Sequence, residues 1–151
     1  MDTSFFAYNW GKNKKWDIKN EKWKKYIVVN LNKNAEKFLP QIIQEVKSYY
    51  NKWYAVYYVP IAKGKNSQYN DMQYIHKIQI GAQIKDQRFI ILDREEDFEN
   101  FIKILAQAQI VISSRLHLFL IASFLEIPTK VYPYQKKILK MQKTLIDMKI
   151  I

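Results

Sequence analysis

Five short runs of apolar and β-branched residues, most of them followed by a stretch of helical spacing, constrain this chain more than any other feature. The runs are Tyr26-Ile-Val-Val-Asn-Leu-Asn32, Tyr54-Ala-Val-Tyr-Tyr-Val-Pro60, Phe89-Ile-Ile-Leu92, Ile110-Val-Ile112 and Thr129-Lys-Val-Tyr132. None alternates strictly, as expected of strands covered on both faces. Between the first two, Asn34 to Leu39 reads as a turn and Pro40 as the first helical position. Leu39, Ile42, Ile43, Val46, Tyr50 and Trp53 then recur at helical spacing. Further helices are predicted from Asn70 to Ile80, stopped by Gly81, and over Phe98 to Ala108 with Asp93 and Asp97 as offered caps. Two more are predicted from Leu116 to Glu126 and from Gln135 to Met148. The Leu116 helix is apolar on most sides and should be deeply buried. This order predicts an α/β fold, a Rossmann-like parallel sheet of five strands with helices on both faces.

The 151 residues suit one domain, occupying 26–151, after a lysine- and aromatic-rich extension or linker over 1–25. The absence of cysteine rules out disulfides and thiolate metal sites, and with only His76 and His117 a histidine-rich metal site is excluded. Gly11, Gly64 and Gly81 are the only glycines, so neither GxGxxG nor a P-loop exists and no nucleotide cofactor is implied. The longest apolar stretch, Leu116 to Leu125, is too short to span a bilayer. With no signal-peptide pattern at the N-terminus, the expected location is the cytoplasm. A net charge of +11 raises nucleic-acid binding. The bias towards Lys, Asn, Ile and Tyr, which AT-rich coding produces, is the stronger account of that charge.

The chemistry concentrates at the fourth run. Ile110-Val-Ile112 ends in Ser113 and Ser114, then Arg115 and His117 stand among apolar residues before a second greasy run ends at Pro128. In an open parallel sheet, ligands sit beyond the carboxyl ends of strands, which is where this turn falls. Ser114 can cap the following helix, whose free N–H groups and dipole favour an anion. Arg115 adds a planar fork of donors for carboxylate or phosphate. His117 can donate a hydrogen bond or move a proton near neutral pH. The competing account is structural: Arg115 paired with Asp93 or Asp97 across the sheet, and His117 a satisfied core histidine.

The segment QAQIVISSRLHLFLIASFLEIPTKVYPYQKKI resembles the C-terminal signature of the polysaccharide pyruvyl transferase family. The resemblance rests on R-L-H after a strand ending in serine, an apolar helix, an I-P turn, a strand, and a tyrosine followed by lysine. Asp93 and Asp71 also fit the family's rhythm, and the likeness runs from 26 to 148. It departs at Glu126, where a small residue or glycine is usual.

The resemblance implies the C-terminal domain of a GT-B-like enzyme that moves pyruvate from phosphoenolpyruvate onto a sugar as a ketal. On it, Arg115 holds the carboxylate or phosphate of phosphoenolpyruvate, and His117 binds phosphate or assists protonation of the enol carbon. Lys137 adds charge near the phosphate; Tyr134, Ser113 and Ser114 are further binding candidates. Family members carry an N-terminal half that supplies the other wall of the cleft, and here only residues 1–25 precede the first strand. The partners implied are phosphoenolpyruvate, a sugar acceptor, and a separate N-terminal half or a homo-oligomer. Two other readings stand beside this one. One is a GT-B-like glycosyltransferase or sugar-epimerase half that grips a nucleotide-sugar. The other is a non-catalytic truncated domain that binds an anion or a partner protein.

Overall fold

The structure, a computed structural model, describes residues 23–61, 70–92, 98–132, 140 and 143–144. Its centre is a sheet of five parallel strands, β1 (Tyr26–Val29), β2 (Ala55–Tyr58), β3 (Phe89–Ile91), β4 (Val111–Ser113) and β5 (Thr129–Val131). Their lateral order is β3-β2-β1-β4-β5. The chain therefore builds away from β1 on one side, then crosses back to add β4 and β5 on the other. All five predicted strands form, each shorter than or shifted from its apolar run. Pro60, which has no N–H to give a ladder, lies just beyond the end of β2.

Successive strand residues feed opposite layers, as the strand period of two requires. Among the described residues four α-helices cover the sheet: α1 (Leu39–Asn51), α2 (Ile75–Gly81), α3 (Phe98–Ala106) and α4 (Leu116–Phe124). Ile42 and Val46 of α1 and Ile75 and Ile78 of α2 pack with Ile27, Val29, Val56 and Tyr58. On the opposite face Phe101, Ile102 and Leu105 of α3 and Leu118 and Ile121 of α4 pack with Tyr26, Val28, Tyr57 and Val111. The remaining side of α4 is also covered, Phe119 and Leu120 being buried with Leu116, Phe124 and Val131 around them. That double burial explains a helix with no polar face. Trp23 packs partly buried on the α3–α4 layer.

Several local expectations need correction. Residues 34–39 are not a simple turn: Lys33–Phe38 form a 3-10 helix, and the side chain of Asn32 caps it by accepting from the Ala35 amide at 3.1 Å. The helix expected from Asn70 opens as a 3-10 turn, Asp71–Tyr74, capped by Asn70, before α2 begins. Gly81 does not supply the left-handed stop. It is the last residue of α2, and the left-handed residue is Gln83, at φ 59°. Gly81 matters for space instead: a Cβ there would lie 2.7 Å from Cδ1 of Ile43, so α1 and α2 approach closely at this point. The expected caps Asp93 and Asp97 lie outside the described residues, as does most of the Gln135–Met148 helix.

Candidate functional site

The crossing of the chain from β3 back to β4 makes the carboxyl ends of β1 and β4 a topological switch point, where open α/β sheets hold ligands. Three segments meet there. Asn30 to Asn32 follow β1, Asp71 opens the helical turn after β2, and Ser113 to Arg115 close β4.

Asp71 is the hub of the meeting. It is fully buried, and Arg115 binds it through two donors: Nη2 to Oδ1 at 2.6 Å and Nε to Oδ2 at 3.3 Å. Oδ2 also accepts from Asn30 Nδ2 at 3.0 Å and from the Ile61 amide at 3.1 Å. The Tyr58 hydroxyl donates to the Asp71 carbonyl at 2.6 Å and lies 3.1 Å from that of Leu31. Burial, then the Asp71 carboxylate, push the Tyr58 hydroxyl well above the ordinary tyrosine range. A buried charge needs such a set of partners. Arg115 thus pairs with a carboxylate 44 residues away, while Asp93 and Asp97, the partners expected from the sequence, lie outside the described residues. Its side chain remains 23% exposed, and among the described residues Nη1 donates to nothing. The pair holds one edge of the guanidinium fork and leaves the other edge for a ligand.

The serines build the turn. Both are buried. Ser113 Oγ accepts from the Arg115 amide at 3.0 Å, so the residue ahead of the turn fixes the backbone of the arginine. Ser114 does not cap α4, contrary to expectation. Its Oγ accepts from the Asn32 amide at 2.9 Å and ties the end of β4 to the end of β1. Arg115 itself occupies the cap position, in extended backbone and without a side-chain cap bond. The first N–H groups of α4 consequently have no capping side chain, which suits an anion at that end.

His117 is the second residue of α4 and is exposed, so it is not a satisfied core histidine. It sits in the same first turn as Arg115. Tyr134 and Lys137 lie outside the described residues. Sequence reasoning did not single out Asn30 and Asn32, both buried. Two asparagines within an otherwise apolar strand run were the available signal.

A model of the polysaccharide pyruvyl transferase family matches residues 2–135. Among curated proteins none matches. Of solved structures, the UDP-GlcNAc 2-epimerase of Methanocaldococcus jannaschii, in complex with UDP-GlcNAc and UDP, superposes with a TM-score of 0.55 at 12% identity. A putative UDP-N-acetylglucosamine 2-epimerase from Listeria monocytogenes superposes with a TM-score of 0.51 at 10% identity. The matches cover 92% and 90% of this chain but only 39% and 40% of those proteins. The likeness is one of fold, a GT-B-like half, and this chain spans about two fifths of the length of either structure.

Proposed function

The chain belongs to the polysaccharide pyruvyl transferase family, and from that premise we propose that it is the C-terminal, phosphoenolpyruvate-binding half of such an enzyme. The observation that carries this reading is the Asp71–Arg115 pair at the switch point, which presents one edge of a guanidinium beside the uncapped start of α4. A ligand with a carboxylate and a phosphate suits that set, because both groups accept from planar donors and from helix N–H groups.

On this reading Arg115 grips one anionic group of phosphoenolpyruvate, and His117 binds phosphate or passes a proton to the enol carbon as C2 gains cationic character. Two hydroxyls of the acceptor sugar add to C2, the C2–O bond to phosphate breaks, and phosphate leaves. One hydroxyl proton ends on the former enol carbon and the other on phosphate. Asp71 positions Arg115; Ser113 and Ser114 shape the turn and lie within reach of a ligand on it. Tyr134 and Lys137 supply further binding groups. The N-terminal half of the cleft supplies the sugar side. The same reading puts the protein in the cytoplasm; among the described residues no helix is long and apolar enough to cross a membrane.

Calorimetric titration with phosphoenolpyruvate tests the site, comparing the chain with its Arg115→Lys/His117→Ala variant. Lysine keeps a cation for Asp71 but lacks the planar fork. The wild type should bind and the variant bind at least tenfold more weakly, about 1.4 kcal/mol. Equal heats from the two proteins would sink the site. UDP-GlcNAc, the ligand of the Methanocaldococcus epimerase, serves as the parallel titrant, and tighter binding of it would favour a nucleotide-sugar half.

A further inference from the structure

We propose that Asn32 is a second anion-binding residue of this site, donating from Nδ2 to the same ligand that Arg115 holds. The proposal rests on the reading of Arg115 above and adds the strand side of the crevice to it.

Asn32 is 1% exposed, yet among the described residues its Nδ2 has no hydrogen-bond partner. Its amide orientation is determined. Oδ1 must accept from the Ala35 amide as the cap of the 3-10 helix, so Nδ2 is the free edge. Its backbone is located as well, because its N–H donates to Oγ of Ser114, the residue just before Arg115. The free donor therefore stands at the switch point beside the Arg115 turn, on the opposite strand of the crevice. An unmet buried donor destabilises a fold, so its retention where a plain Ser or Asp could cap needs a cause. A ligand oxygen that bridges Asn32 Nδ2, Arg115 Nη1 and the uncapped first turn of α4 supplies one. Asn30 shows that the two asparagines are not equivalent. Its Nδ2 is spent on the Val59 carbonyl and Asp71, and its orphan atom, Oδ1, is an acceptor that an anion would avoid. Of the two asparagines after β1, only Asn32 offers an unspent donor.

The test is titration of phosphoenolpyruvate into the wild type, Asn32→Ser and Asn32→Asp, with the melting temperature of each recorded. Both replacements keep an oxygen able to cap the Ala35 amide and remove the amide donor. The expected result is a several-fold weaker Kd for Asn32→Ser and a loss of tenfold or more for Asn32→Asp. The melting temperature of Asn32→Ser should stay within a few degrees of the wild type, which a purely structural role for Nδ2 would not reconcile with lost affinity; that of Asn32→Asp should fall, because its carboxylate is buried. Unchanged affinity in both variants, with the wild type binding normally, would overturn the role of Asn32 and leave that of Arg115 standing. A wild type that takes up no phosphoenolpyruvate would overturn the reading of Arg115, and this one with it.

Discussion

Asp71 holds the site together at the scale of single residues, and two substitutions separate what it does. Asp71→Asn keeps the shape but removes the charge that faces Arg115. One of the donors now aimed at the carboxylate, Asn30 Nδ2 or the Ile61 amide among them, would then face an amide NH2. Breaking a buried pair in this way should cost about 3 kcal/mol in a denaturant titration. In the protein that stays folded, phosphoenolpyruvate binding should also weaken, because Arg115 loses its orientation. Tyr58 gives a pH-dependent readout of the same cluster. Its folded pKa is raised above the unfolded value of about 10 by burial and Asp71. The neutral hydroxyl therefore contributes stability that is fully present below pH 10 and is lost as pH rises above it. Tyr58→Phe should cost about 1 kcal/mol at pH 8 through its lost bonds and flatten the alkaline fall of the urea midpoint. An unchanged fall would show that Tyr58 does not titrate with unfolding. The partner of Arg115 was not readable from local sequence. Asp93 and Asp97 are nearer to Arg115 along the chain than Asp71, which follows β2 and meets Arg115 across the end of β1.

At the scale of elements, α1, α2 and α4 all end alike. Trp53, Gln83 and Glu126 each take positive φ, at 71°, 59° and 62°. In each case that residue bonds back three positions and its successor five. The pairs are Trp53 to Tyr50 with Tyr54 to Tyr49, Gln83 to Ile80 with Ile84 to Gln79, and Glu126 to Ser123 with Ile127 to Ala122. This is the Schellman ending, whose left-handed residue is ordinarily glycine. The departure noted at Glu126 thus has a physical meaning, since a Cβ is being carried where none is favoured. Glu126→Gly should stabilise the chain by roughly 0.5–1 kcal/mol, measured as a rise in melting temperature. Trp53→Gly should gain less, because Trp53 also stacks on Arg88 with its ring centroid 4.7 Å from the guanidinium. A fall in stability for Glu126→Gly would mean that contacts of its side chain outweigh the strain. Strands and long helices could be read from the sequence because burial imposes a period. The 3-10 turns and helix stops were misread because one bond decides them. Asn32 turned a loop into a helix, and Ser114 gave its hydroxyl to β1 rather than to α4.

For the whole molecule, the sheet order was open to several permutations until β1 was found at the centre. A β-α repeat predicts parallel strands, but which side of β1 receives β4 is decided by the crossover after β3, outside the reach of any local pattern. That choice also creates the site, since Asn32 and Ser114 are neighbours only because β1 and β4 are. The sheet separates two apolar layers, one holding Ile78 under α2 and the other Ile102 under α3. Each of Ile78→Val and Ile102→Val removes one buried methyl group and should cost about 1 kcal/mol. Because the strands lie between them and no partner is shared, the double variant should lose the sum within about 0.5 kcal/mol. All four proteins should still unfold in one transition, because β1 and β4 contribute to both layers and neither layer can be lost alone. Urea curves for the wild type, the two single variants and the double variant measure both points. A second transition in any of them would mean that one face of the sheet can melt while the other holds, and the Asp71–Arg115 pair would then report on only one of them.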